Sequence, residues 1–420
     1  MNNSTAYKLA QLPANALPVG VDPHKRQHAI VLRTPQAQVL SKFKICNDRA
    51  GFEELQRRCE QFRQQTGASQ VIFAIEPGGH YWRNLGYFLL EQETPFRLVN
   101  PLTLKRQRDG DDLTHRKTDY RDGEKAAELL AEGKYTWTRL PEGKYAELRQ
   151  AHETYQQLVA ETARVKLQLT TALDGLFPEF CQVFKQLDGF TALTILRTCA
   201  NPFVIATLTE AEFLHRVRAQ HDHPRVMCAQ ARELHRRAAR SVGLRACAES
   251  LTLKVRLLAE RLRFLLDQRQ QAETYLTTLF RQFEESRFLL SMRGLGVVNA
   301  AGLLAHLGDI QQYSKVKQLA KLAGINPQEN SSADHHAART PMSKKGRRGL
   351  RAVLWRAVIA LLRHNEAFKQ YVHRLTNRAA QAHPLKKREA IGAAMNKLLR
   401  IVYALLRQRV LFDPAKAFGD

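Results

Sequence analysis

The sequence predicts an α/β domain followed by a longer, mostly helical part. Up to about residue 137, short apolar segments alternate with stretches of helical spacing, which is typical of a sheet covered by helices. From about residue 142 onward the apolar residues recur at helical spacing alone. We therefore expect three domains: an α/β domain at 1–141, a helical, coiled-coil-like segment at 142–290, and a helical C-terminal domain at 291–420.

The α/β pattern begins with LPVGVDPHKRQHAIVL, which we interpret as one strand that ends at Asp22 and a second strand from 28 to 39. FEELQRRCEQFRQQ then has the spacing of an amphipathic helix, and VIFAI is a short apolar strand that ends just before Glu76. A helix at 82–90 and a strand at 96–99 complete the predicted domain. Two of these strands end in a carboxylate.

Two segments of the helical part carry narrow apolar stripes whose spacing alternates between three and four residues. They run from Leu148 to Leu176 and from Leu251 to Phe283, with Arg269 interrupting the second. This spacing is typical of coiled-coil seams. The helices could pair as a hairpin within one chain, join two chains, or form an ordinary bundle. Because a narrow stripe buries little on its own, we expect partners along the whole length and at least a homodimer.

The last part contains RGLGVVNAAGLLAHLG, in which Gly294 and Gly296 bracket a turn between two predicted helices. The pattern is similar to a helix-hairpin-helix, whose turn amides and helix N-terminus face a phosphate. Arg293, Gly294 and Gly296 are therefore candidate nucleic-acid-binding residues. A plain turn between two helices is the alternative.

Four carboxylates are candidates for a metal-dependent site: Asp22, Glu76, Asp119 and Asp122. Brought together, they would hold two divalent cations, which suits in-line chemistry at a phosphodiester. Each pair also has a structural explanation. Proline follows both Asp22 and Glu76 and favours a turn, and an aspartate with a carboxylate three residues on is typical of a helix N-cap. Rival carboxylates in a predicted loop are Asp109, Asp111 and Asp112.

A loop at 325–349 combines hydroxyl, imidazole and cationic side chains. It contains SSADHH at 331–336, followed by the basic residues Arg339, Lys344, Lys345, Arg347 and Arg348. A serine attacks phosphorus only after it loses its proton and the phosphoryl charge is neutralised. The histidines and the basic residues of this loop are candidates for these two tasks. The alternatives are an ordinary loop serine and a solvated or phosphate-binding basic face. His221, His223 and Cys228 could be metal ligands, although their spacing favours surface residues.

The chain is strongly basic, with 65 Lys and Arg against 40 Asp and Glu and a formal net charge of +25. Such a surface releases counterions on binding a polyphosphate, so nucleic acid is the expected partner. No apolar run reaches the ~18 residues that span a bilayer. The six cysteines form no C-x-x-C pair, and the N-terminus lacks the pattern of a signal peptide. We expect a cytoplasmic protein, nucleoid-associated when bound to DNA.

Several motifs recur together and in order, and on their combination the chain resembles transposases of the insertion sequence 110 family. These are the DEDD transposases, also described as bridge-RNA-guided recombinases. The motifs cover nearly the whole length and include VGVDPHKRQHAIVL, AIEPGGHYWRNLGYFLL, KTDYRDGEKAAELL, RGLGVVNAAGLLAHLGD, QLAKLAGINPQENSS and MSKKGRRGLRAVLWRA.

The resemblance implies a RuvC-like, ribonuclease-H-type first domain whose catalytic DEDD set, holding Mg²⁺, is Asp22, Glu76, Asp119 and Asp122. It also implies a helical insertion and a C-terminal transposase domain. The family's nucleophilic serine, in a Pro-x-x-x-x-Ser-Gly pattern, falls on Ser332 after Pro327. Position 333 is Ala instead of Gly, and Ser331 directly precedes the expected serine, so the choice between the two serines stays open.

In such enzymes the metal site of one subunit and the serine of another form a composite site, and a non-coding RNA pairs with target and donor DNA. The expected function is DNA transposition or recombination through a serine-DNA phosphodiester, by a homodimer or tetramer. One alternative is a RuvC-like nuclease or resolvase without a covalent step. The other is a non-catalytic nucleic-acid-binding protein.

Overall fold

The computed structural model describes residues 3–111, 118–136, 140–219, 228–327, 331–332, 335–336, 341–377 and 384–419. They belong to two compact units, Met1–Leu140 and Pro141–Asp420. The further division of the second unit at about residue 290 stays a prediction. Four of the residues considered above lie outside the described ranges: Asp112, His221, His223 and Arg339. At Asp111, Cys228, Ser331, Ser332, His335 and His336 only the main chain is described.

The first unit is built on a five-stranded mixed sheet with the order β3-β2-β1-β4-β5. Strand β1 pairs antiparallel with β2 and parallel with β4, and β4 pairs parallel with β5. The strands are β1 (Leu17–Pro23), β2 (Gln27–Arg33), β3 (Val39–Cys46), β4 (Val71–Ile75) and β5 (Phe96–Leu98). Strands β1 and β4 are buried along their whole length, as expected for apolar strands covered on both faces.

The single strand expected at 28–39 is wrong, because the chain reverses within TPQAQ and forms two strands. The backbone N–H of Thr34 donates to the carbonyl of Gln38, and Ala37 adopts a positive φ of 78°. Strand β3 then alternates exposed Lys42 and Lys44 with buried neighbours, the pattern of a strand with one solvated face.

The helices described in this unit are α1 (Asn3–Leu9), α2 (Arg49–Thr66), α3 (Trp82–Glu91), α4 (Pro101–Asp111) and α5 (Asp119–Ala131). The loop expected around Gly110 is wrong, since Asp109 and Asp111 lie in α4. Pro101 begins that helix, as its fixed φ allows at a first turn. The prediction of a helix-covered sheet is confirmed, and α5 packs directly on β1.

The second unit is helical, with one two-stranded hairpin. Its elements are α6 (Gly143–Leu176), α7 (Phe180–Val183), α8 (Phe190–Thr198), α9 (Pro202–Ile205), α10 (Glu210–Ala219), α11 (Cys228–Ala238), α12 (Ala248–Arg281), α13 (Glu285–Leu290), α14 (Val297–Leu307), α15 (Val316–Ala323), β6 (Ser331–Ser332), β7 (His335–His336), α16 (Arg348–His364), α17 (Glu366–Thr376), α18 (Lys387–Gln408) and α19 (Pro414–Phe418).

The two seam segments lie on α6 and α12, and these long helices pack against each other within the chain. Their contact buries Leu169 and Leu176 of α6 with Val255 and Leu262 of α12, in a core that also takes in α7 to α11. The segments therefore bury their apolar stripes within one chain. Pairing of the same helices between two chains stays a prediction.

A second core joins α14, α16 and α18 in the C-terminal part. The N-terminal turns of α6 and the C-terminal turns of α12 also contribute to it. It is centred on fully buried leucines such as Leu304, Leu354 and Leu398. No helix within the described ranges is both long and apolar enough to cross a membrane.

A buried basic cluster lies where α6, α14 and α16 meet. The rings of His152 and His306 pack edge to face with centroids 5.2 Å apart, and both side chains are almost fully buried. Neither ring nitrogen of His152 has a hydrogen-bond partner among the described residues. Burial lowers the pKa of His152 to about 4 and that of His306 to about 3. Both imidazoles are therefore neutral at pH 7.

The cationic groups around the pair reinforce this effect. Arg356 further lowers the pKa of His152, and Arg149 and Arg347 further lower that of His306, while Glu153 opposes the shift at His152. Because the folded-state pKa values lie below the unfolded value near 6.5, stability is fully present above about pH 6.5 and is lost as the pH falls toward the folded values.

We predict that the protein loses stability between pH 6.5 and pH 5, by about 2 kcal/mol for one such imidazole. His152→Leu removes one titrating group and should flatten the dependence of unfolding free energy on pH, measured by urea denaturation at several pH values. His215→Leu, at an exposed histidine of α10, is the matched control. Parallel pH profiles of the parent and the His152 variant would contradict the assignment.

Candidate active site

The candidate carboxylates gather at one edge of the sheet. Asp22 lies near the end of β1, and Glu76 directly follows β4, the parallel neighbour of β1. The backbone N–H of Glu76 donates to the carbonyl of Val21 at 3.3 Å, which extends the pairing to the last residues. Since the carboxyl ends of parallel strands meet at the same edge, these two residues leave the sheet side by side.

The helix α5 brings the other two carboxylates to this edge through a contact between two glycines. A Cβ placed on Gly20 of β1 would lie 1.7 Å from the carbonyl oxygen of Gly123. Only a residue without a side chain allows the helix backbone to approach the strand so closely. Gly123 directly follows Asp122, so this contact holds the first turn of α5 beside the end of β1.

The first turn of α5 is capped by Thr118 and not by an aspartate. The Thr118 Oγ1 accepts the backbone N–H of Arg121 at 3.3 Å, which leaves Asp119 as the first helical residue. The N-capping explanation of Asp119 is therefore wrong. Asp122 is 3% exposed and Asp22 is 8% exposed. Two nearly buried carboxylates at one sheet edge are costly unless cations or hydrogen bonds stabilise them.

Two basic residues, His24 and Lys44, contact the carboxylates at this edge. The Nε2 atom of His24 lies 3.2 Å from Asp119 Oδ1, and its Nδ1 atom lies 3.7 Å from Asp22 Oδ1. Lys44 of β3 donates from Nζ to Asp119 Oδ2 at 2.9 Å. The hydrogen bond and the charge of Asp119 raise the pKa of Lys44, and Asp22 adds a smaller contribution. One imidazole thus bridges carboxylates from two different elements.

The structure brings Asp22, His24 and Asp119 into one potential ligand group, whose donor atoms all lie within 4.8 Å of one another. Among the described residues this group does not include the other two predicted carboxylates: Glu76 follows the neighbouring strand β4, and Asp122 lies in the first turn of α5. Carboxylate oxygens are the donors that Mg²⁺ prefers, and imidazole suits softer divalent metals. The donor set therefore fits a divalent cation.

His28 supports the segment that carries Asp22 and His24. Its side chain is fully buried in β2, and its Nδ1 atom accepts the backbone N–H of His24 at 3.2 Å. The ring stacks on Phe52 with an interplanar angle of 15°. Burial, and then the charge of His24, lowers the pKa of His28 to about 4, so the ring is a neutral acceptor at pH 7.

The sequence interpretation missed His24, His28 and Lys44. A signal existed for His24, since it lies two residues after Asp22, and alternate residues of an extended chain share a face. For Lys44 the only clue is its place in the alternating β3 pattern, which does not tell which carboxylate it meets.

The serine loop of the second unit is described at its base and at one hairpin. Pro327 forms an isolated antiparallel bridge with Met342, and the backbone N–H of Ser343 donates to Asn326 O at 2.9 Å. Above this base, β6 pairs antiparallel with β7, so that Ser332 lies opposite His335 and Ser331 opposite His336. Directly opposite residues are close neighbours in such a ladder.

The predicted glycine turn lies between α13 and α14. Gly294 has a φ of 94°, and a Cβ there would lie 2.9 Å from the Cβ of His364. The carbonyl of Arg293 accepts a hydrogen bond from Asn365 Nδ2 at 3.0 Å, and Gly296 is the N-cap residue of α14. The Arg293 residue is exposed.

The basic run before α16 divides into exposed side chains and one that is partly buried. Lys344, Lys345 and Arg348 are exposed. Arg347 instead packs inward and donates from Nη1 to the carbonyl of His306 at 2.8 Å, at the last turn of α14. Burial, followed by the charge of Arg149, lowers the pKa of Arg347 to about 10. It remains a cation, but one that stabilises a helix end.

Comparison with known proteins gives two family matches. A model of the DEDD transposase of IS110 elements, described as a transposase, matches residues 19–178. The model described as "Transposase IS116/IS110/IS902 family" matches residues 286–373. The first match contains the whole carboxylate edge, and the second contains the glycine turn and the serine loop. Together they cover more than half of the chain.

Individual relatives agree. The chain is 25% identical over 418 residues to a protein of Streptomyces coelicolor named for the mini-circle transposase of IS117, covering 95% of this chain and 96% of the relative. It is 31% identical over 126 residues to the pilin gene-inverting protein of Moraxella bovis, or 30% of this chain and 38% of that protein. The transposase for IS1111A of Coxiella burnetii is 30% identical over 130 residues, 30% of this chain and 34% of the relative.

The mixed sheet, its carboxylate edge and these matches define a DNA transposase or recombinase. The chain belongs to the IS110 family of transposases.

We predict that Gly20→Ala lowers the free energy of unfolding by about 3 kcal/mol or more, because a methyl group cannot fit against the Gly123 carbonyl without moving α5. Urea denaturation measures the loss. Gly78→Ala is the control, since a Cβ there meets nothing within 4 Å. If both variants were as stable as the parent, α5 would not lie on β1 as described.

Proposed function

We propose that this protein is an insertion-sequence recombinase that cuts DNA and rejoins it. The observation that supports this most is the carboxylate edge, where Asp22 and Asp119 come from different elements and share His24. The name of the relative from Moraxella bovis refers to inversion of a gene, a rearrangement in which every cut end is rejoined. Rearrangement without loss of DNA favours a mechanism that conserves the phosphodiester bond energy.

We propose Mg²⁺ as the cation, held by Asp22, Glu76, Asp119 and Asp122. When bound there, it would neutralise the charge of the scissile phosphate and polarise it for attack. Lys44 now donates to an Asp119 oxygen that a cation would also use, so Lys44 would have to move aside or share that carboxylate. The positive end of the α5 dipole lies at the first turn, where Asp119 and Asp122 are placed, and attracts negative charge.

The proposed nucleophile is Ser332, with Ser331 as the rival. Its Oγ would lose a proton and attack phosphorus, forming a serine-DNA phosphodiester while a deoxyribose oxygen leaves and takes up a proton. Attack by another deoxyribose hydroxyl reverses the exchange, regenerates the serine and needs no ATP. His335, directly opposite Ser332 in the β6–β7 ladder, is a candidate to take the proton.

The assembly is proposed from the family resemblance. The serine of one subunit and the carboxylates of another would form a composite site in a homodimer or tetramer, with a non-coding guide RNA pairing to target and donor DNA. The Arg293–Gly296 turn, taken as a helix-hairpin-helix, and the exposed Lys344, Lys345 and Arg348 would contact nucleic-acid phosphates. The coiled-coil contribution of α6 and α12 to assembly belongs to the same proposal.

A second candidate is a RuvC-like nuclease or resolvase that uses a metal-activated water. The carboxylate edge alone would serve it equally well, and only the covalent step separates the two functions. Trapping a serine-DNA adduct on a denaturing gel, followed by mass spectrometry of the modified peptide, decides between them.

We predict that Asp22→Asn and Asp119→Asn each abolish strand cleavage, since a neutral amide binds Mg²⁺ poorly. The loss should be at least about 100-fold in rate if the cation supplies several kcal/mol to the transition state. Asp109→Asn, at a rival carboxylate in α4, is the control and should cleave as the parent does. Full recombination by the parent in excess chelator would reject the metal site.

We predict that Ser332→Ala abolishes adduct formation and strand exchange while DNA binding is retained, because only the attacking oxygen is removed. Filter binding and the adduct gel measure the two properties separately. Ser331→Ala is the matched control and should form the adduct. The reverse outcome would move the nucleophile to Ser331, and normal strand exchange by both variants would exclude both serines as the nucleophile.

A further inference from the structure

An arginine-lined pocket lies in the helical segment that neither family model matches, between α8, α9, α10 and α12. It has a volume of about 340 Å³ and is lined by Arg197, Arg216 and Arg256, one acidic residue, Glu249, and the apolar side chains of Leu196, Val204 and Leu253. The lining residues come from four helices or their ends, so the fold and not one charged sequence run brings the arginines together.

Among the described residues, the arginines have no ion-pair partner in direct contact, although Glu212, which accepts hydrogen bonds from Thr209, lies close enough to Arg216 to interact with its charge. Among the described residues, none of the three guanidinium groups forms an ion pair within 4.0 Å, and the buried Nε atom of Arg197 has no hydrogen-bond partner. Elsewhere in this segment arginines do pair, as Arg232 does with Glu210 at 3.0 Å and Arg237 with Glu233 at 2.6 Å. Three cations facing one carboxylate leave a local positive charge that an anion would neutralise.

We propose that this pocket binds a backbone phosphate of duplex DNA. A guanidinium fork matches phosphate oxygens in two-point geometry, which accounts for arginine in place of lysine at all three positions. The exposed fractions of Val204 and Leu253, 43% and 48%, give the pocket an apolar wall. Such a wall suits the sugar beside the phosphate, and duplex DNA is favoured as its source because the chain belongs to a family of DNA transposases.

The site would be separate from the carboxylate edge and would hold DNA without acting on it. Contacts to phosphates fix the position and orientation of a duplex and carry no sequence information. A binding site of this kind suits an enzyme that must keep hold of DNA ends through exchange. The proposal rests on DNA being the substrate, but it needs neither the metal nor the serine.

The test is DNA binding by the full-length protein, freed of nucleic acid, with chelator present so that cleavage plays no part. Fluorescence anisotropy on a duplex of arbitrary sequence gives the dissociation constant at several salt concentrations. Arg256→Gln and Arg216→Gln should each reduce the slope of log affinity against log salt by about 0.9, the value for one lost B-DNA phosphate contact. At fixed low salt, the double variant should bind about tenfold more weakly or worse.

Arg261→Gln is the matched control. It removes the same charge from an exposed position of α12, five residues beyond Arg256 and on another face of the helix. It should leave the slope within error of that of the parent. Circular dichroism melting checks that all variants fold.

Three outcomes would overturn the proposal. Equal loss of slope in Arg256→Gln and Arg261→Gln would mean diffuse surface charge. If Arg256→Gln and Arg216→Gln lost binding to an RNA of the same sequence while their binding to duplex DNA was unchanged, the pocket would be assigned to RNA. Thermal stabilisation of the parent by inorganic phosphate, absent in Arg256→Gln while the DNA slope is unchanged, would assign it to free phosphate.

Discussion

The close approach of α5 to β1 is the constraint on which the candidate site depends. Gly20 lies two residues before Asp22, and Gly123 directly follows Asp122, so one backbone contact sets the separation of carboxylates that are distant in sequence. A strand buried on both faces cannot move away from the helix, because β2 and β4 hold it on either side. The geometry of the acidic edge is therefore fixed by packing, not by the carboxylates themselves.

The electrostatics of the edge follow from that geometry. Packing forces like charges together, and the protein offsets their repulsion locally with His24, Lys44 and the N-terminal end of α5. Lys44 lies on a solvated face of β3 and is long and flexible, so its ammonium group can leave Asp119 without disturbing the core. His24 is held more firmly, since its backbone is bound by the buried ring of His28. A cation that binds at this edge would thus compete for Asp119 with Lys44, the more mobile of the two basic groups.

Much of this could be predicted from the sequence, and the failures have physical causes. The strand at 71–75 and the helix from Trp82 were predicted almost to the residue, because continuous apolar runs and helical spacing are local signals. The strand boundary within TPQAQ and the helix at Pro101 were missed, since turn and helix compete there at similar local propensity. The need for glycine at position 20 could not be predicted, because it depends on a contact with the carbonyl of Gly123, which is distant in sequence. The same holds for Lys44 and Asp119, whose pairing depends on the order of strands.

The net charge of +25 does not indicate how many residues contact nucleic acid, because several cations of the second unit interact with other parts of the protein. Arg347 looked in the sequence like part of a phosphate-binding run, yet its side chain closes the end of α14 beside two neutral imidazoles. Arg232 and Arg237 are paired with carboxylates of neighbouring or the same helices. Among the residues that the structure describes, Arg197, Arg216 and Arg256 form no ion pair with a carboxylate, although nothing in their local sequence distinguishes them. Contact with a polyanion is therefore better inferred from which cations the fold leaves without a partner than from how many the sequence contains.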